Sequence, residues 1–163
     1  MLEIEDVRVR QAAFMLSVKK IKLSPGEIIA VLGNNGSGKS TFLLLLSGLR
    51  AFTGLYMINH TNFKDLRTED RSRLISLLPQ STTLNMPFDV FYVVLTGRFP
   101  HTENGRYSKE DRELTEKVMY ELDIMHLKDR PFNELSGGEK QRVLFARVMN
   151  SQTPIILLDE PLN

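Results

Sequence analysis

Hydrophobic positions along the chain first alternate and then cluster. Leu2, Ile4 and Val9 recur at even spacing, with Val7 one step out of phase. That period predicts an early strand, and residues 14–23 predict a second. Ser24-Pro25-Gly26-Glu27 reads as a turn. The apolar run Ile28-Ile29-Ala30-Val31-Leu32 then predicts a buried strand, and Thr41-Phe42-Leu43-Leu44-Leu45-Leu46 predicts a helix. Residues 54–59 form a short predicted strand. Residues 65–73 are charged and predict a helix, and Leu74-Ile75-Ser76-Leu77-Leu78 a strand stopped by Pro79.

The second half is richer in helix. Residues 89–96 predict a short apolar helix, followed by a polar, turn-rich stretch at 100–106. Ser108 with Glu110 and Asp111 makes a helix start, and that helix runs to about residue 123. A further helix begins near Ser136 and ends before Pro154. Ile155-Ile156-Leu157-Leu158 is continuously apolar, the pattern of a strand buried on both faces. Strands alternating with helices place the chain in the α/β class. No internal repeat or low-complexity tract is present.

Composition narrows the picture without redirecting it. The 163 residues suit one ordinary domain, and 42% hydrophobic with 25% charged content is that of a soluble globular protein. A net charge of +1 projects no strong field toward nucleic acid or a membrane surface. Cysteine is absent, so disulfides and cysteine ligation are excluded, which fits a reducing compartment. The acidic, alternating start Met1-Leu2-Glu3-Ile4-Glu5-Asp6 is not a signal peptide. The longest apolar stretch is far too short to span a bilayer. These features describe a soluble cytoplasmic chain.

The strongest chemistry lies between the predicted strand at 28–32 and the helix after it. Gly33-Asn34-Asn35-Gly36-Ser37-Gly38-Lys39-Ser40-Thr41 fits the phosphate-binding P-loop. Glycines let the backbone turn tightly and bring N–H groups against a polyphosphate. Lys39 has the reach for β- and γ-phosphates, and Ser40 offers a hydroxyl to Mg²⁺. The following helix aims its positive end at the same place.

Further sites follow in a distinctive order. Gln80 follows the strand that ends at Leu78-Pro79. Leu135-Ser136-Gly137-Gly138-Glu139 opens a helix, where a serine and two glycines make a second anion site. Asp159-Glu160 closes the last predicted strand with two carboxylates. With these motifs the chain resembles, from end to end, the ATP-binding-cassette (ABC) ATPases. The P-loop alone is shared by many nucleotide enzymes; Leu135 to Glu139, in this order, is far more specific.

The resemblance implies a P-loop NTPase fold with a RecA-like core, an N-terminal antiparallel β subdomain and an inserted helical subdomain. As one incomplete domain, the chain divides into a P-loop core and β subdomain at 1–81, the helical subdomain at 82–150 and the Walker B strand at 151–163. ATP and Mg²⁺ are implied as ligand and metal. Residues 33–41 bind the nucleotide in cis; residues 135–139 read the γ-phosphate held by a second subunit in a head-to-tail dimer. Asp159 is implied in the Mg²⁺ shell with Ser40, and Glu160 as the general base that polarises the attacking water. Gln80 contacts metal or water and links the site to transmembrane permease subunits. Catalysis is mostly positioning and charge stabilisation. The implied location is the inner face of the cell membrane, as a peripheral subunit, with no direct nucleic-acid contact. Taken alone, Gln80 reads more readily as a surface glutamine than as a site residue, and Asp159-Glu160 reads equally as an exposed strand end.

A narrower resemblance lies at Leu95-Thr96-Gly97-Arg98-Phe99-Pro100-His101. It is similar to a G-R-x-P-H stretch common in ATPases of iron-siderophore, haem and cobalamin importers, and it implies a chelate importer. Phe88, Phe91 and Tyr92 are candidates for the apolar floor of a permease-docking groove. The same residues also read as a helix ending at Gly97 with a Pro-stopped turn. No cluster of partners supports His101 as a metal ligand. The aromatic residue on which many cassettes stack adenine falls near Arg10 or Gln11. Phe14, a core candidate, is the nearest aromatic, and Arg10 can stack by cation–π contact.

Family members continue past Pro161-Leu162-Asn163 with a strand ending in a switch histidine. His60, His101 and His126 all precede the last predicted strand. The C-terminal strands of the family are therefore expected to be lacking, as in a shortened form of a longer cassette. Their absence leaves the strands at 28–32 and 155–159 separated by a gap or paired directly. Unpaired buried backbone groups cost about 1–3 kcal/mol each against a margin of about 5–15 kcal/mol. Such a chain is expected to be insoluble, swapped with a partner or only partly folded. Two rival readings are a non-transport ABC ATPase acting on nucleic acid or ribosomes, and a catalytically inactive cassette.

Overall fold

The computed structural model describes residues 1–11, 14–80 and 88–159. They form two units, Met1–Arg71 and Ser72–Asn163.

In the first unit β1 (Leu2–Gln11) pairs antiparallel with β2 (Phe14–Leu23) on one side and β3 (Thr53–Ile58) on the other. The short β4 (Thr61–Asn62) completes the order β2-β1-β3-β4. The out-of-phase Val7 has a local cause. Asp6 takes a left-handed conformation (φ 48°), and the register against β3 shifts by one residue between Glu5 and Arg8. This bulge resets the alternation, so Leu2, Ile4, Val7 and Val9 are all buried. Across β1 and β2, Glu3 faces Lys22 and Glu5 faces Lys20, with N–O distances of 3.1 and 3.4 Å. These exposed pairs favour this register over a slipped one.

Helix α1 (Lys39–Leu46) buries Phe42, Leu45 and Leu46. Its C-terminal turn is fastened by Tyr56 of β3, whose hydroxyl donates to the Leu46 carbonyl at 3.0 Å. The Tyr56 ring stacks on Phe63 with centroids 4.5 Å apart, and burial pushes its phenol pKa well up. The turn at 24–27 closes as expected, through the Glu27 N–H to the Ser24 carbonyl. The strand expected at 28–32 is not formed. Among the described residues these enter no ladder, and Ile28 and Leu32 are 97% and 90% exposed. An apolar run becomes a strand only where a neighbour accepts and donates its backbone hydrogen bonds, and no described residue supplies one.

Helix α2 (Thr68–Leu74) carries the chain into the second unit. There β5 (Ile75–Leu78) pairs in parallel with β6 (Ile155–Leu158), in a register that matches Leu78 with Leu158. The expectation that β6 is buried on both faces fails. Leu157 is buried, but Ile156 and Leu158 are 39% and 38% exposed, because the described β6 has one neighbour strand rather than two.

Helices α3 (Val90–Leu95), α4 (Lys109–Glu121) and α5 (Gly137–Asn150) close over a core that includes Val90, Val93, Met119, Ile124, Phe132 and Val143. Each helix start is marked in the sequence. Asp89 accepts from the Tyr92 N–H at 2.6 Å. Ser108 with Asp111, and Ser136 with Glu139, form reciprocal capping boxes. No described helix is long and apolar enough to cross a membrane.

Candidate functional site

The P-loop residues lie together at the N-terminus of α1. Gly36 and Gly38 both have positive φ, 79° and 98°. The Ser37 N–H donates to the Asn34 carbonyl at 3.1 Å, which tightens the turn. Lys39 folds back over its own loop, donating to the carbonyls of Gly33 and Asn34 at 2.9 and 3.3 Å. Gly38 is the N-cap and has no side chain to occupy the first-turn N–H groups. No acidic residue stands in that turn. The helix therefore presents first-turn N–H groups without a side-chain cap, and the positive end of its dipole, beside a lysine ammonium, a combination that suits a polyphosphate.

The β1–β2 hairpin reaches this loop. Gln11 Oε1 accepts from the Thr41 hydroxyl at 3.3 Å. The Phe14 ring packs against Gly38 so closely that a Cβ there would lie 2.9 Å from Phe14 Cζ. Phe14 is thus not a core residue: 37% of it is exposed, beside the loop. Arg10 is exposed on the same strand as Gln11.

In the second unit, parallel pairing brings Gln80 and Asp159 to the same end of two adjacent strands. The Asp159 N–H donates to the Leu78 carbonyl at 2.9 Å, and Asp159 is buried. Gln80, two residues beyond Leu78, is exposed. The C-terminal edge of parallel strands is where α/β sheets place ligands. Glu160 lies outside the described residues. No cluster of three or more His, Cys, Asp or Glu that could hold a metal occurs among the described residues. Within the second unit, the Asp159 carboxylate and the Gln80 amide oxygen are the kinds of oxygen donor that suit Mg²⁺, which is commonly held by one or two carboxylates together with phosphate oxygens.

The turn at Leu135 to Glu139 opens α5. Glu139 Oε2 accepts from the Ser136 N–H at 2.8 Å and from its hydroxyl at 2.7 Å. Hydrogen bonds from the Ser136 side chain and backbone, with Arg130 at 3.4 Å, hold the Glu139 carboxyl below its ordinary pKa. Among the described residues nothing lies within 4 Å of where a Cβ on Gly137 or Gly138 would stand, so the backbone there is open to an approaching group.

Sequence reasoning missed the role of 96–101. The chain does not stop at Gly97; α3 continues as a 3-10 helix over Thr96–His101 with Pro100 inside it. Arg98 is 7% exposed and pairs with Asp111. His101 Nε2 lies 2.8 Å from the Ser151 carbonyl. The available signal was Asp111 itself, the third helical residue of a capping box, thirteen residues beyond Arg98. Of the proposed groove residues, Phe88 and Tyr92 are partly exposed with rings 5.0 Å apart. Phe91 instead packs on the core under Lys128.

The family profile described as ABC transporter matches residues 16–163. The hemin import ATP-binding protein HmuV of Gloeobacter violaceus is 38% identical over 99% of this chain, which spans 62% of that relative. The protein of the same name from Pseudomonas aeruginosa is also 38% identical, over 99% of this chain and 65% of its own length. A metal-chelate type ABC transporter solved in an inward-facing conformation matches 98% of this chain and 60% of its own, with a TM-score of 0.82 and 32% identity. A nucleotide-free ATP-binding cassette from an ABC transporter, 22% identical with a TM-score of 0.84, shares the fold. The chain belongs to the ABC transporter family and has its P-loop NTPase fold, and it spans less than two thirds of the length of these two relatives.

Proposed function

We propose that this chain, as a member of that family, is the nucleotide-binding part of an ATPase subunit that powers an importer of hemin or a related iron chelate. The observation that carries the reading is the P-loop geometry: a lysine folded over its own loop at an uncapped helix N-terminus. Lys39 exchanges the Gly33 and Asn34 carbonyls for phosphate oxygens. The first-turn N–H groups of α1 hold the β-phosphate. Ser40 and Asp159 hold Mg²⁺, which draws charge from the phosphates when bound. Gln80 orients the attacking water, and Glu160 takes up its proton. The Ser136–Glu139 turn contacts ATP bound to a second copy, so that two subunits pair head to tail. The assembly sits beneath permease subunits on the inner face of the membrane. The import reading draws support from the relatives named for hemin import and from the metal-chelate transporter of similar structure.

Thermal unfolding with and without Mg-ATP, beside Lys39→Ala, tests this. ATP at 100 times its Kd stabilises a folded binder by about 2.7 kcal/mol. A rise in Tm that Lys39→Ala abolishes is expected. A transition that ATP does not move rejects nucleotide binding by this chain.

A further inference from the structure

We propose that the turn at Thr96–His101 is a positioning clamp for helix α5, with Arg98 and His101 as the positioning residues. It grips the helix at its C-terminal end, so that the Ser136–Glu139 turn at the other end is held in one orientation. The inference deepens the reading above, in which that turn meets the nucleotide of a second copy.

The contacts converge on one short stretch. Arg98 Nη1 donates to the Asn150 carbonyl at 3.3 Å and to Gln152 Oε1 at 3.0 Å, while its Nε is held by Asp111 at 2.9 Å. His101 Nε2 meets the Ser151 carbonyl at 2.8 Å. Arg147 Nε donates to the Thr96 hydroxyl at 2.9 Å. Asn150, fully buried, donates to the Val94 carbonyl and the Thr115 hydroxyl at 3.0 and 2.9 Å. Gly97 lets the two backbones touch: a Cβ there would overlap the Arg147 carbonyl oxygen. The turn is also tied toward the strand that leads to Gln80, since Arg73 Nε donates to the Pro100 carbonyl at 2.8 Å.

These contacts supply what packing does not. Val143, Leu144, Ala146 and Val148 bury the inner face of α5, but apolar burial is non-directional and tolerates small rotation and sliding. The last carbonyls of a helix lack partners within the helix and carry partial negative charge. A guanidinium on one of them and an imidazole N–H on the next are directional, and together they fix both rotation and axial position. The fourteen residues of α5 carry that constraint over about 21 Å, at 1.5 Å per residue.

The chain contains no cysteine, so spin labels can be placed freely. Labels at Glu113→Cys on α4 and Arg142→Cys on α5 report the helix orientation as a distance distribution. Four proteins are compared: the parent, Arg98→Lys, His101→Leu and His101→Gln. Lysine keeps the charge opposite Asp111 but cannot fork to Asn150; glutamine keeps an N–H for Ser151, and leucine does not. The parent is expected to give one narrow distribution, Arg98→Lys and His101→Leu a broadened or shifted one, and His101→Gln the parental one. Mg-ATP affinity should stay within about two-fold in all four, while ATP-driven self-association weakens at least ten-fold in Arg98→Lys and His101→Leu. Unchanged distributions in variants whose circular dichroism is parental overturn the clamp. So does an equal disturbance by His101→Gln and His101→Leu. A parent that binds no Mg-ATP overturns the proposed function instead, and the distance comparison still decides the clamp.

Discussion

The Arg98 guanidinium donates to the Asp111 carboxylate at 2.9 Å, with both side chains more than nine-tenths buried. Each charge is tolerable there only because of the other. Removing one partner of such a pair typically costs about 3–5 kcal/mol, because the remaining charge stays buried and uncompensated. Arg98→Met is expected to lower unfolding stability by that order in urea. Arg98→Met with Asp111→Asn should cost less than the sum of the single changes.

The same carboxylate sets an acid limit. Burial alone would raise the Asp111 pKa above the ordinary 3.8, but bonds from the Ser108 backbone, Arg98 and the Ser108 hydroxyl outweigh it and hold it lower. The folded state therefore binds fewer protons than the unfolded state, and stability rises with pH. The contribution is complete above the unfolded value and is lost as pH falls through the folded one. Glu139, depressed by its Ser136 bonds, acts in the same direction. A Tm series carried below pH 4 should fall steeply for the parent and less steeply for Asp111→Asn, which starts lower.

Gly97 and Gly137 make a contrasting pair. Alanine at 97 pushes against the Arg147 backbone, which cannot rotate away. Overpacking of this kind costs about 1–3 kcal/mol. Gly137→Ala meets no described residue within 4 Å and should change stability by less than about 0.5 kcal/mol. It should nevertheless weaken ATP-driven association, since its methyl stands where an approaching group would meet the backbone. Denaturation curves and sedimentation separate the two effects.

At the P-loop, Gly38→Ala meets two obstacles. The residue has φ 98°, and its new methyl would stand 2.9 Å from Phe14 Cζ. Left-handed backbone alone costs an L-residue about 1–2 kcal/mol. Pairing Gly38→Ala with Phe14→Leu should recover the steric part of the loss and leave the backbone part. Full recovery in a double-mutant cycle would show that the strained φ carries no cost.

Much of the local architecture was legible because its causes are local. Ser108 with Asp111 marks the start of α4 within four residues, and Pro79 ends β5. The run at 28–32 misled for a physical reason: its composition states what the segment can do, while a strand also needs a neighbour. The stretch at 96–101 misled differently. Its glycine, arginine and histidine read as a family marker and a helix stop, while their partners Arg147, Asn150 and Ser151 lie about fifty residues away.

The sequence by itself determined the class of fold, the phosphate loop and the helix caps, since each depends on spacing over a few residues. It also determined the family, through the order of its motifs. Only the tertiary structure decided that Val7 joins the inner face through a bulge and that Phe14 stands beside Gly38 rather than in the core. It alone showed that Arg98 is buried against Asp111 and the end of α5. Those outcomes depend on which distant backbone lies next to which side chain, and hydrogen bonds and ion pairs are decided by that adjacency.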